Sequence, residues 1–283
     1  MSNEIGASAA GSTRQALVSS IVQDVISEKA QLLPLVTDYS GQAQPGSQSL
    51  GIPRRNSFSA SDKAYSTDVN HSQMTFGVDT ITFAHKYVSA KIEDIAKVQS
   101  VVDVPGEVVK EIGEAMARAA DDLILTALKD VSLANPDMKI PLASASDDKI
   151  ALADITNARK LLRSEGKVMF DGDTYLLVSP EQEQELLSIS NLIDASKYGD
   201  SLSIKAGEIG SVMGFRVIVS DLLTADQAIA FHKSAVAFAS QQNFKLEFDR
   251  DLSNLSDHYV GSGLMGATAL AEGKRSVFFG DGH

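Results

Sequence analysis

Apolar residues recur at three- and four-residue steps through Leu17, Val18, Ile21, Val25 and Ile26, with Leu32 and Leu33 near the end. That spacing predicts a first helix, which Pro34 stops. The pattern then lapses. Residues 37–68 are rich in Ser, Gln and Gly and contain Pro45 and Pro53, and their large apolar positions are sparse: Leu50, Ile52, Phe58 and Tyr65. A stretch of this composition supplies little core, and a structureless loop of that length is improbable inside a compact domain. It reads as an extended arm that orders on a neighbour. Met74, Phe76 and Val78 then alternate, and Ile81 and Phe83 alternate on the shifted phase. This predicts a strand with a bulge near Gly77 to Asp79, the returning half of a two-stranded β-arm.

The strongest helical pattern follows, PGEVVKEIGEAMARAADDLILTALKDV from Pro105. Val108, Ile112, Ala115, Ala119, Leu123 and Ala127 mark one face. Pro105 and Glu107 suit the first turn. The other face carries Glu111, Glu114, Asp121 and Asp122, expected to be solvated or to meet another subunit. Beyond a Pro- and Ser-containing connection, a second lobe begins with a helix marked by Ile155, Ala158, Leu161 and Leu162. A turn at Asp171-Gly172 and a strand over Tyr175–Val178 come next. Ser179, Pro180 and Gln182 then predict a capped short helix. Ser190–Lys205 reads as loop. Ile209 to Val219 reads as a hairpin, Ala228–His232 as a buried strand and Ala235–Gln242 as a short helix.

The last part is β-rich. Phe244, Leu246 and Phe248 alternate with Lys245, Glu247 and Asp249, as in a half-buried antiparallel strand. Tyr259–Leu270 and Ser276–Phe279 read as strands joined by a turn at Glu272-Gly273.

Composition narrows the chemistry. Hydrophobic residues make up 43% and charged residues 22% of the 283, as in a soluble globular chain. The 25 Lys and Arg against 37 Asp and Glu give a net charge of −12, a poor match to nucleic acid or anionic membrane. There is no cysteine, hence no disulfide, thiolate nucleophile or zinc ribbon. Neither a secretory signal nor a transmembrane run is evident, so a reducing aqueous compartment is expected. The five His form no metal-ligand spacing, and His232 ends an apolar strand as a boundary histidine would. Gly261, Gly263 and Gly266 match GxGxxG, but the dinucleotide motif opens a helix and these glycines lie in an expected strand. They fit a sheet where backbones approach closely. No catalytic, cofactor or metal residues are assigned. Arg54-Arg55 is the compact basic feature of the arm. It is expected to dock on the acidic spine face of a neighbour, at Glu107, Glu111, Glu114 and Asp121.

The order of elements resembles the major capsid protein of tailed bacteriophages, an α+β, HK97-like fold shared with encapsulins. The resemblance rests on PGEVVKEIGEAMARAADDLILTAL, on GEIGSVMGFRVIVSD (Gly207–Asp221), on AIAFHKSAVAFASQQ (Ala228–Gln242) and on the closing HYVGSGLMGATALAEGKRSVFF, and covers roughly residues 11 to 280. It implies an N-terminal arm over 1–36, an extended loop over 37–85, a peripheral domain over 86–149 and 233–283 with the spine helix at 105–130, and an axial domain over 150–232. It further implies a structural protein, not an enzyme. Copies would join as hexamers and pentamers of an icosahedral virion shell, assembled in the host bacterial cytoplasm and enclosing double-stranded DNA without gripping it. The implied partners are copies of the chain itself, a separate scaffolding protein, a portal and decoration proteins, with no membrane. The alternatives are an encapsulin-like compartment around a cargo protein and a soluble α/β nucleotide-binding enzyme using the C-terminal glycines.

Overall fold

Val109, Ile112, Met116, Ala120, Ile124 and Leu128 recur every three or four residues, and all are buried. The helix they form links the two larger sheets of the molecule, of four and six strands. The structure, a computed structural model, describes residues 30–55, 60–66, 68–69, 71, 73–100, 104–142, 149–188, 210–224 and 226–280. The helix expected over Leu17–Leu33 lies, up to residue 29, outside the described residues, as does the loop expected over Ser190–Lys205. Pro34 sits within a 3-10 turn, Leu33–Leu35.

In chain order the first strands are β1 (Thr37–Asp38), β2 (Ser49–Arg55), β3 (Phe76–Thr82) and β4 (Ala84–Glu93). A short α1 (Asp94–Gln99), the spine α2 (Val104–Ala134) and β5 (Lys139–Ile140) follow. The lobe holds α3 (Leu152–Ser164), β6 (Thr174–Val178), α4 (Pro180–Ser188), β7 (Ser211–Val212), β8 (Phe215–Val219) and β9 (Ala228–His232). The chain closes with β10 (Val236–Asp251), β11 (Ser256–Ala269) and β12 (Ser276–Phe279). The spine has 31 residues and, at 1.5 Å per residue, is about 46 Å long.

Two sheets flank it. One has the order β1-β10-β11-β4, the other β5-β12-β9-β6-β8-β7. In the first half of α2, Val109 and Ile112 pack on Leu246, Val88 and Ala90 of the four-stranded sheet. In the second half, Ile124, Leu125 and Leu128 pack on Tyr175, Leu177, Ile229, Phe231 and Phe278. The alternate residues Leu176, Val178, Ala228, Ala230 and Val277 point to the other face, where Ile155, Ala158 and Leu162 of α3 cover them. The central strands β12, β9 and β6 are thus buried on both sides, which explains why they are mostly continuous apolar runs. Met213 and Gly214 both have positive φ in the two-residue turn between β7 and β8, as a hairpin of that length requires.

Several expectations are corrected. Ala235–Gln242 is not a helix. After a 3-10 turn at Lys233–Ala235 it forms the first half of β10. Alanine favours helix, but Val236 to Ala239 are buried on both faces, and the pairing with β11 decides the conformation. The bulge expected at Gly77 to Asp79 is absent. β3 pairs with β2 in unbroken register, and the register shifts lie at Ser240–Lys245 of β10. Ser179 does cap α4 through Oγ, 3.4 Å from the Gln182 N–H. The Gln182 side chain does not close the box; it is oriented to pair with both backbone groups of Gln227, at 2.7 and 3.1 Å. Residues 139–140 and 276–279, assigned from sequence to the peripheral part, are hydrogen-bonded into the lobe sheet.

Candidate functional site

The arm is the hairpin β2–β3, in which Leu50 lies opposite Ile81 and Arg55 opposite Phe76. Side chains of a strand alternate between faces, and here the alternation divides the hairpin. Gly77, Asp79 and Ile81 point inward; Phe76, Val78 and Thr80 point out. At the root, Ile81 is buried against Ala237 and Ala239 with Leu50, Ile52 and Phe83 around it. Further out the cover ends. Phe76 and Val78 are 62% and 61% exposed, and Tyr65, Val69 and Met74 are exposed as well. The shifted phase that sequence alone attributes to a bulge is a regular strand whose outer apolar row has no cover.

Residues 39–48 do not project with the hairpin. Tyr39 donates its N–H to the Phe238 carbonyl (2.8 Å). Ser240 donates its N–H to Ser40 Oγ (2.9 Å), and the Gln241 amide donates to the Gln44 and Ser47 carbonyls. The arm is therefore clamped to β10 below residue 48.

The six residues expected to pair between subunits do not share one role. Arg54 lies across the hairpin with its guanidinium 3.5 Å from Asp79 Oδ1. The other Asp79 oxygen accepts from the Ala271 N–H at 3.2 Å, which pins the hairpin to the turn after β11. Arg54 thus braces the hairpin from within while its side chain stays part-exposed. Arg55 is placed by its backbone at the far end of β2; its side chain is outside the description. Glu107 and Glu111 are exposed on the spine, Glu107 pairing with Lys110 at 3.1 Å. Glu114 is half-buried.

Asp121 is corrected outright. It is 3% exposed, and its carboxylate accepts from the backbone N–H groups of Gln31 (2.8 Å) and Leu32 (3.0 Å). Burial pushes its pKa up, against the lowering effect of those hydrogen bonds. This acid fastens the chain entering from the N-terminal side to the middle of the spine. It borders a groove of 430 Å³ between spine and lobe, shared with Glu114, Arg118, Pro180 and Asp221.

Sequence reasoning missed a charged cluster at the far end of the four-stranded sheet. Arg250 pairs with Asp94 and, at 2.9 Å, with Asp257; Lys97 pairs with Asp257 and, at 3.4 Å, with Asp94. The hydrogen-bonded Arg250 guanidinium lowers the Asp94 pKa to about 2. The i,i+3 spacing of Asp94 and Lys97 was the one local sign of it. The cluster ties α1 to the β10–β11 turn, beside the exposed Ile95, Val98, Leu252 and Leu255.

The glycines of the GxGxxG match serve packing. A Cβ on Gly261 would come within 2.6 Å of Ile112 Cγ2 on the spine, and one on Gly266 would overlap the Thr82 carbonyl oxygen. His232 is a satisfied boundary histidine. Its Nδ1 accepts from the Ser234 N–H at 3.2 Å, and its Nε2 lies 3.6 Å from Asp171. Among the described residues no group of three His, Asp or Glu is placed to hold a metal ion, and no helix is long and apolar enough to cross a membrane.

A family model described as phage capsid protein matches residues 25–276. No curated protein matches the chain in sequence. Among solved structures, a chain of Mycobacterium phage Che8 is similar with a TM-score of 0.74 and 25% identity, over 89% of this chain and 92% of that one. The capsid asymmetric unit of cyanophage Pam1 aligns with a TM-score of 0.71 at 14% identity, over 89% and 92%. The mature capsid of bacteriophage PhiM1 aligns with a TM-score of 0.68 at 17% identity, over 89% and 86%.

Proposed function

The chain belongs to the phage capsid protein family, and from that premise we propose how it closes a shell. It is a major capsid protein, a component of the virion capsid. The encapsulin-like compartment is not favoured, because the matched family model is that of phage capsid proteins.

In this reading the chain acts as a structural subunit and not as a catalyst, and the glycine motif of the nucleotide-binding alternative is used for packing the spine on its sheet. Copies join into hexamers and pentamers through the arm, which lies across the adjacent subunit, and the closed shell holds double-stranded DNA. Scaffolding, portal and decoration proteins belong to the reading through the family alone. The carrying observation is the outer row Phe76 and Val78, on a hairpin whose root is buried and whose far half is bare. A two-stranded ribbon is marginal in water by itself, and an apolar row of this kind marks an interaction surface. An intersubunit ion pair of Arg55 with Glu107, Glu111 and Glu114 stays part of the reading; Arg54 and Asp121 have partners within the chain.

By parts, the extended loop proper spans roughly 49–82, since 39–48 are clamped to β10. The spine and four-stranded sheet form the peripheral domain. The six-stranded sheet with α3 and α4 forms the axial domain and takes in β5 and β12.

The test is to replace residues 53–78 by an Asn-Gly turn, which leaves Ile52 opposite Asp79 to close a short hairpin. Electron microscopy should then show no closed shells, while the thermal unfolding midpoint of the free subunit drops only slightly, through loss of the part-exposed Arg54–Asp79 pair. Shells in normal number would refute the arm's role.

A further inference from the structure

The lobe carries opposite charge at its two ends. Near the start of β6, Arg159 and Arg163, one turn apart on α3, both set their guanidinium carbons over the ring of Phe170, 4.8 and 5.2 Å from its centroid. Phe170 meets Phe215 edge-on with centroids 5.1 Å apart, so the ring is fixed in place. Arg159 also donates to the Met213 carbonyl. Arg216 reaches Gly172 at the same end. Among the described residues no carboxylate pairs with Arg159 or Arg163. Two guanidinium groups held on one ring repel each other, and a carboxylate arriving between them relieves that repulsion at little cost in side-chain ordering.

At the other end of β6, Ser179 leads into α4 with Glu181 and Glu183 in its first turn. Asp221 follows β8, which runs parallel to β6, and so lies at this same end. Glu181 and Asp221 are exposed. The basic and acidic ends are separated by one five-residue strand, about 17 Å.

We propose that the lobe joins the next copy of the chain head to tail, the Arg159–Arg163 pair of one copy receiving the acids at Glu181 and Asp221 of the next. This rests on the reading of the chain as a shell subunit. A contact between two different surfaces of one chain closes into a ring when its rotation allows. The rings are the capsomers, and the polarity of the lobe sets the direction in which subunits follow one another. A DNA phosphate is the poorer occupant. The chain's net charge is −12, and a polyanion needs a continuous basic track, which one arginine pair does not make.

The experiment is a charge swap on the full chain, read by native mass spectrometry of capsomers and by electron microscopy of shells. Arg163 is the residue to change, since Arg159 also holds the Met213 carbonyl. Arg163→Glu should lower the capsomer fraction about tenfold or more, and Glu181→Arg should do the same. The double variant Arg163→Glu/Glu181→Arg should restore it. Arg163→Gln, which keeps the stem over Phe170, should act in the same direction with smaller size. Unfolding midpoints of the free subunits should not move. Single variants that assemble normally, or a double variant no better than the singles, would overturn the head-to-tail contact. Normal shells retaining less DNA would also overturn it, by placing the arginines on phosphate. Should the unmodified chain form no shells at all, the shell reading itself fails; failure of the swap in a chain that does form shells strikes the lobe contact alone.

Discussion

The lobe sheet and the arm are both built from strands that carry apolar residues, yet they place them differently. In β6 the adjacent residues Leu176 and Leu177 point to opposite faces and both are fully buried, one under α3 and the other under the spine. In β3 Ile81 alone is buried at the root, while Phe76 and Val78 face outward into solvent. The central strands of the lobe sheet are covered within one chain; the outer row of the arm is not. In the reading proposed above, a neighbouring copy covers the row that the arm leaves bare.

Substitutions can break that comparison. The largest stability effect should come from Phe231→Ala in the lobe, about 3–5 kcal/mol in urea unfolding of the free subunit. Phe76→Ala in the arm should change the same measurement by less than about 0.5 kcal/mol and cut shell yield sharply. Equal losses in the two would erase the distinction. Next, Asp121→Ala leaves the N–H groups of Gln31 and Leu32 without their acceptor, at roughly 1–3 kcal/mol for each. Because burial raises the Asp121 pKa, the folded chain holds that proton more tightly than the unfolded one. Its contribution therefore falls as pH rises from the ordinary value of 3.8 through the raised one, and Asp121→Asn should flatten this slope in unfolding measured against pH. Gly266→Ala forces a Cβ against the Thr82 carbonyl at the root of the arm and should cost about 1–3 kcal/mol by overpacking, seen as a lower unfolding midpoint.

The smallest effect lies at the far tip. Asp94 is held near a pKa of about 2 by Arg250, so its pairing is complete above the ordinary carboxylate value of 3.8 and fades as pH falls toward 2. Amides of α1 should exchange faster at pH 3 than at pH 5 after correction for intrinsic rates, with global unfolding hardly changed.

Much of the fold was legible because its signals are local. The spine shows its period over many turns, and β6 and β9 are apolar runs of strand length. Phe244–Asp249 alternates strictly. What stayed hidden depends on distant partners. Ala235–Gln242 is apolar at consecutive positions, so neither period stands out, and β11 makes it a strand. Asp121 sits among the polar positions of the spine, but its partners are 89 and 90 residues away. Arg54 looks free in a polar stretch until the hairpin register brings Asp79 beside it. The pairing of Arg159 and Arg163 on Phe170 needs the turn after α3 to fold back, which no spacing announces.

The most direct test is hydrogen exchange on the unmodified chain, free and in shells, followed at the amides of Gly51–Arg55 and Phe76–Thr80 and at those of β6 and β9. The account predicts rapid exchange of the arm in the free subunit and strong slowing on assembly, while the lobe strands are equally protected in both. An arm already protected in the free subunit, or unchanged in the shell, would contradict it.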